Sequence, residues 1–318
     1  MLCRTANELF WMSRHIERAE NAARLLDVTY RMSLLPYEAV EPGLAWAEPW
    51  AVPLITSGLA KTYYQRYSEL SAENVLRMMI LDPSNPSSIF CCLRAARESA
   101  RAVRGAITSE MYEDLNSTWL EMRRLDYAEI EGQGVSEILD WVKLRSHLFR
   151  GVTFGTMLRD EAYHFLRLGT HLERADNTAR ILDVKYHTLL PSAADVGGAV
   201  DYYQWGALLR SVSGFESYRK IYSDVITPRR VAELLILRED MPRSLHASMN
   251  FIFESLELLC DDGSREIERV AGELHAKLHY GKADDIIKQG LHEYLLDFLD
   301  RISALGDDVS RHFLVPTY

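Results

Sequence analysis

Two segments of the chain carry one set of reactive side chains at one spacing. Residues 15–30 read HIERAENAARLLDVTY and residues 171–186 read HLERADNTARILDVKY, with eleven of sixteen positions identical. Their shared pattern, HxERxxNxxRxxD, supplies His15, Glu17, Arg18, Asn21, Arg24 and Asp27, then His171, Glu173, Arg174, Asn177, Arg180 and Asp183. At about 100° per residue a helix stacks Glu17, Asn21 and Arg24 on one stripe, beside an apolar stripe of Ala19, Ala23 and Leu26. Two chemistries fit these groups. Glu and Arg on two such helices can form reciprocal, hydrogen-bonded ion pairs in the interior, the condition under which buried charges persist. Alternatively, each helix aims Glu, Arg and His at a ligand or partner bearing carboxylate or amide groups. A merely solvated face has no reason to hold six polar identities twice. Glu20–Arg24 and Asp176–Arg180 add i,i+4 pairs, each worth only about 0.3–0.5 kcal/mol on a helix surface.

Arg94, Arg97, Arg101 and Arg104 form a second candidate. On one helix they share a face opposite Leu93, Ala96, Ala100, Val103 and Ile107. Four like charges repel unless solvent, acidic residues or an anionic partner answers them. Glu161-x-x-His164 has the form of half a di-iron carboxylate motif, but its partner motif and further glutamates are missing. His275-x-x-x-His279 puts two imidazoles on one face. Neither pair shows a third ligand in the sequence, so no metal and no cofactor is expected. There is no GxGxxG, no GxxxxGK[ST] and no GxSxG.

The elements that position these groups read as helices throughout, because apolar residues recur every three or four positions. The pattern predicts a long helix over Ala6–Ser33, the Pro-rich loop PYEAVEPGLAWAEP, and a helix over 51–68. Ser71 should cap a helix to Leu81, and Ser87 or Ser88 one to Ile107, followed by a helix over 109–126. The clearest break is EGQG at 131–134. Thr227-Pro228 reads as a cap with proline at the first helical position, and Ser264 as the cap of the helix carrying His275. No alternating β-branched run suggests a sheet.

The offset between the two motif helices is 156 residues, and it recurs. Ser57-Gly58 maps to Ser213-Gly214, VLRMMIL at 75–81 to VAELLIL at 231–237, Pro86 to Pro242 and Ser88 to Ser244. Twice the offset nearly exhausts the 318 residues. The sequence therefore reads as an all-α helical bundle of two duplicated units, 1–156 and 157–318, packed with pseudo-two-fold symmetry. The arginine stripe belongs to the first unit alone, since Asn250, Phe253, Glu257 and Cys260 stand at the matching positions.

Composition narrows the functional classes. A formal net charge of −10 argues against nucleic-acid binding, which draws on a basic surplus. Cys3, Cys91, Cys92 and Cys260 form no CxxC pair and fit free thiols in a reducing compartment. No apolar run approaches the ~20 residues of a membrane span, and the N-terminus lacks a signal-peptide h-region. The expected location is the cytoplasm.

The duplicated HxERxxNxxRxxD helix, in an all-helical chain of this length, resembles the alpha-E family, a bacterial helical group named for its Glu-Arg motif. Here the motif is Glu17-Arg18 and Glu173-Arg174, and the resemblance covers essentially the whole chain. It implies partners: circularly permuted ATP-grasp proteins and transglutaminase-like peptidases, and with them a role in peptide or amide-bond synthesis or processing. Two functions follow as expectations, with a metal-binding helical bundle built on Glu161 and His164 ranked behind them. One is a non-catalytic accessory or scaffold subunit that docks an ATP-grasp-type ligase and holds its peptide, using the Glu-Arg helices and the arginine stripe. The other is an enzyme with Glu17 or Glu173 as general base and Arg18 or Arg174 orienting a carboxylate. Arginines lower a neighbouring carboxyl's pKa, which counts against the base.

Overall fold

The computed structural model describes residues 1–34, 49–188 and 199–315, and every regular element among them is helical. The first half contains α1 (Cys3–Ser33), α2 (Ala51–Thr56), α3 (Ala60–Tyr64), α4 (Ala72–Leu76), a π-helical turn at Arg77–Leu81, α5 (Ile89–Ala102), α6 (Ser109–Met122), α7 (Tyr127–Gln133) and α8 (Val135–Thr156). The second half contains α9 (Glu161–Thr188), α10 (Ala199–Ser211), α11 (Phe215–Tyr222), α12 (Pro228–Ala232) and a π-helical turn at Glu233–Leu237. It closes with α13 (Leu245–Leu259), α14 (Arg265–His279), α15 (Ala283–Gln289), α16 (Leu291–Val309) and a π-helical turn at Ser310–Leu314.

The motif helices α1 and α9 lie side by side at the centre and run in the same direction, with Phe10 against Gly169 and Glu17 against Arg174. α5 and α8 pack on α1, while α13 and α16 pack on α9. Ala19, Ala23 and Leu26 are buried, as their stripe predicts, and share one apolar core with Leu168, Leu172 and Leu182 of α9. The two long helices touch closely at Gly169. A β-carbon there would stand 2.3 Å from the Phe10 carbonyl oxygen and 2.3 Å from the Ser13 hydroxyl, so only glycine fits.

Local chemistry sets the shorter elements. Ser71 and Thr227 cap α4 and α12, accepting from the backbone N–H of Asn74 and Arg230. Ser88 and Ser244 cap α5 and α13, and their hydroxyls also donate to the carbonyls of Asp82 and Arg238, just past the π-helical turns. Gly134 and Gly290, with φ of 103° and 100°, make the corners before α8 and α16.

The structure differs from the sequence reading in several places. The helix expected over 51–68 is broken at Gly58, whose φ of 67° leaves the helical region. Residues 77–81 widen into a π-helical turn. α5 stops at Ala102 because the chain must turn to reach Thr108, the N-cap of α6, so Arg104 lies past the helix end. α6 stops at Met122. The Ser264 hydroxyl bonds Asp261 and makes no cap contact. The expected loop at 36–49 lies outside the described residues except for Pro49. Among the described residues no helix is long and apolar enough to cross a membrane.

Candidate functional site

Between α1 and α9 the buried charges are paired reciprocally. Arg174 grips Glu17 with both prongs, Nε to Oε1 at 3.0 Å and Nη2 to Oε2 at 2.8 Å. Arg18 grips Glu173 in the same way at 2.6 and 2.8 Å, and Arg14 adds a contact at 2.8 Å. Arg243, just before α13, donates to Glu17 at 3.1 Å, to Asn21 at 2.9 Å and to Glu20 at 2.5 Å. Arg150 of α8 reaches both Glu17 and Glu20, and Arg24 holds Glu20 at 2.7 Å. Glu20 is thus fully buried in the network, not the solvated i,i+4 partner its spacing suggested.

Burial alone would push the Glu17 carboxyl up, but Arg174 and Arg243 outweigh it and hold the group down at about 2. Burial likewise opposes ionisation of Glu173, and Arg18 and Arg14 reverse it, leaving its pKa below the ordinary value. Both are ionised near neutral pH. A general base works best with its pKa near the working pH, so this geometry does not suit either glutamate to that role.

A cleft of about 340 Å³ opens beside this network. Arg18 and Asn21 line it from α1; Glu173, Asp176, Asn177 and Arg180 line it from α9. Arg180 is tied to Asp176 by two hydrogen bonds, 2.8 and 2.9 Å. The Asn21 amide nitrogen is buried with no hydrogen-bond partner. Glu17, Glu20 and Asn21 are bridged by Arg243. Their counterparts 156 residues on are Glu173, Asp176 and Asn177. By the same 156-residue sequence offset Arg243 matches Ser87, which lines the cleft.

The other sequence candidates fall elsewhere. His15 is half-buried beside Trp11, and burial and Arg18 push it down to about 4. His171 stacks on Phe251 at 4.3 Å, and burial and Arg174 push its pKa well down. Arg24 points to Glu20 and Ser213, and Arg174 is sealed against Glu17. Asp27 ties α1 to α8 through Lys143 at 2.9 Å, and Asp183 meets His292 of α16 at 2.6 Å. Arg94 and Arg101 are exposed, Arg97 reaches Asn116 and Glu98, and Arg104 lies over the Tyr112 ring at 4.2 Å. Among the described residues Glu98 is the carboxylate that meets this group, through Arg97 and Arg101. Glu161 is exposed and meets the Met1 amino group, while His164 is buried.

The fold corrects one expectation outright. His275 and His279 do have a third imidazole beside them, His246 of α13, with one nitrogen of each ring within 4.8 Å of the others. Sequence spacing also passed over Arg14, Arg150, Arg243 and Ser87, which lie outside the repeated pattern.

A family model, Alpha-E, described as a predicted alpha-helical domain with a conserved ER motif, matches residues 1–314. Uncharacterised proteins of Mycobacterium tuberculosis and Mycobacterium bovis are 25% identical over 334 aligned positions, covering 96% of this chain and 36% of theirs. The chain therefore spans little more than a third of the length of these curated relatives. No solved structure matches it significantly.

Proposed function

The chain belongs to the Alpha-E family, and on that premise we propose that it is a helical accessory subunit whose cleft holds a peptide or amino acid by a cationic group. The partners we assign it are those the family resemblance suggests, an ATP-grasp-type ligase and a transglutaminase-like peptidase, acting in the cytoplasm on peptide or amide bonds. The observation that carries the reading is the pair of matching carboxylate–amide sets, one bridged by Arg243 and the other, held by Arg18, Arg14 and Arg180, with Ser87 where the bridging arginine would stand. An ammonium or guanidinium seated by Glu173, Asp176 and Asn177 would repeat the contacts Arg243 makes, and a ligand carboxyl or amide oxygen would meet Arg18. We also read residues 1–156 and 157–318 as two copies of one unit about an approximate two-fold axis along α1 and α9. The reciprocal ion pairs, the paired caps and the paired π-helical turns support this.

Replacing Ser87 tests the cleft. In titration calorimetry, a dipeptide bearing arginine or lysine is expected to bind at one per chain. Ser87→Arg should weaken that binding at least tenfold while the thermal midpoint is held or raised. Undiminished binding by this variant would remove the cleft from the proposal.

The arginine stripe is the docking surface we assign to the ligase, because its charges outnumber the carboxylate beside them. Reversing Arg97 and Arg101 to glutamate should abolish recovery of an ATP-grasp ligase from host lysate and leave the helical circular dichroism unchanged. Full recovery with the double variant would exclude this face.

A further inference from the structure

We propose that His246, His275 and His279 bind a divalent transition metal, zinc foremost, through three imidazoles with a fourth position open to water. This goes beyond the cleft and uses none of its residues. His275 and His279 stand one turn apart on α14 and so share a face, and α13 packs against that helix with His246 near its start. One nitrogen of each ring lies within 4.8 Å of one on each of the other two. Zinc bonds nitrogen at about 2.0–2.1 Å, which sets tetrahedral ligand atoms about 3.4 Å apart. Small side-chain rotations, freest at the exposed His279, cover the difference.

The surroundings prepare the rings as ligands. The Leu237 carbonyl, at the end of a π-helical turn, lies 2.7 Å from His246 Nδ1. A carbonyl can only accept, so the proton sits on Nδ1 and the lone pair on Nε2. That Nε2 is buried with no hydrogen-bond partner, in a residue only 3% exposed. The side-chain oxygen of Asn250 does the same for His275, accepting from Nε2 at 2.7 Å and leaving Nδ1 its lone pair. Orientation of a histidine through its second nitrogen is the usual support of a metal-bound imidazole. Phe253 stacks on His275 at 5.2 Å and gives the site an apolar wall.

Packing does not explain the imidazoles. The residues 156 positions before His246 and His275 are Phe90 and Trp119, whose rings meet at 5.0 Å. A plain aromatic contact therefore serves that corner in the first half. A neutral all-nitrogen set suits zinc, copper, nickel or iron and does not suit magnesium or calcium, which require oxygen ligands.

The test uses full-length protein freed of any histidine tag, stripped with chelator, and titrated with zinc against a chromophoric competitor. One zinc per chain is expected, and cobalt(II) should give the visible absorption of a four-coordinate site. His279→Ala removes an exposed ligand and should weaken zinc binding by at least about 100-fold, since loss of a supporting partner alone costs about 10–100-fold. His246→Phe copies the first-half contact, should fold, and should abolish the cobalt spectrum. Absence of stoichiometric binding, or binding unaffected by both variants, overturns the site.

Discussion

Replacing Glu17 with glutamine is expected to lower the unfolding free energy by about 3–5 kcal/mol, the usual cost of breaking a buried ion pair from one side. The Glu17 carboxylate accepts from Arg174, Arg243 and Arg150 in a place where it is 1% exposed. Glutamine keeps the shape but turns one acceptor into a donor that faces guanidinium N–H groups. Arg174 suffers most, because its other contact is a weak one to the Pro242 carbonyl at 3.5 Å. Urea denaturation would measure the loss; a change below about 1 kcal/mol would mean that solvent already screens the pair. The pH dependence has a definite sign. The folded carboxyl is held at about 2, against an ordinary 4.5. A depressed folded pKa contributes stability that is complete above the unfolded value and is lost as pH falls through the folded one. The gap between wild type and Glu17→Gln should therefore hold at neutral pH and narrow between about 4.5 and 2.

Gly169→Ala should cost a net ~2 kcal/mol or more, although alanine favours a helix over glycine by about 1 kcal/mol. The new methyl would sit 2.3 Å from the Phe10 carbonyl oxygen, which belongs to the backbone of α1 and has no rotamer to escape into. Relief requires α1 and α9 to move apart, and that lengthens the Arg18–Glu173 contacts now at 2.6 and 2.8 Å. A fall in thermal midpoint is the expected reading. A midpoint at or above wild type would show that the helices slide past each other freely.

Much of this centre is legible in local spacing. The three- and four-residue periodicity declares helices, and a repeated Glu-Arg dipeptide on two of them is the pattern reciprocal pairing requires. What stays hidden is whatever depends on a third element. Arg243 is a lone arginine in a turn, and Arg150 lies on α8 outside any motif, yet together they bury Glu20. A helical wheel shows which residues share a face but not what will cover it, so Glu20–Arg24 looked like a surface pair. The cleft is invisible for a related reason: its lining comes from α1, α9 and the segment carrying Ser87, which only the packing brings together. His246 sits on a different helix from His275 and His279, and it joins them only because α13 packs on α14.

The long reach of Arg243 also bears on how the molecule is made. Its contact with Glu17 spans 226 residues of sequence. A ribosome adding about 5–20 residues per second needs on the order of 11–45 s to deliver the later partner. Arg24, Arg150 and Arg174 are made within that interval, so Arg243 is the last cation to reach Glu17 and Glu20. The central ion-pair network is therefore completed only when the turn before α13 arrives.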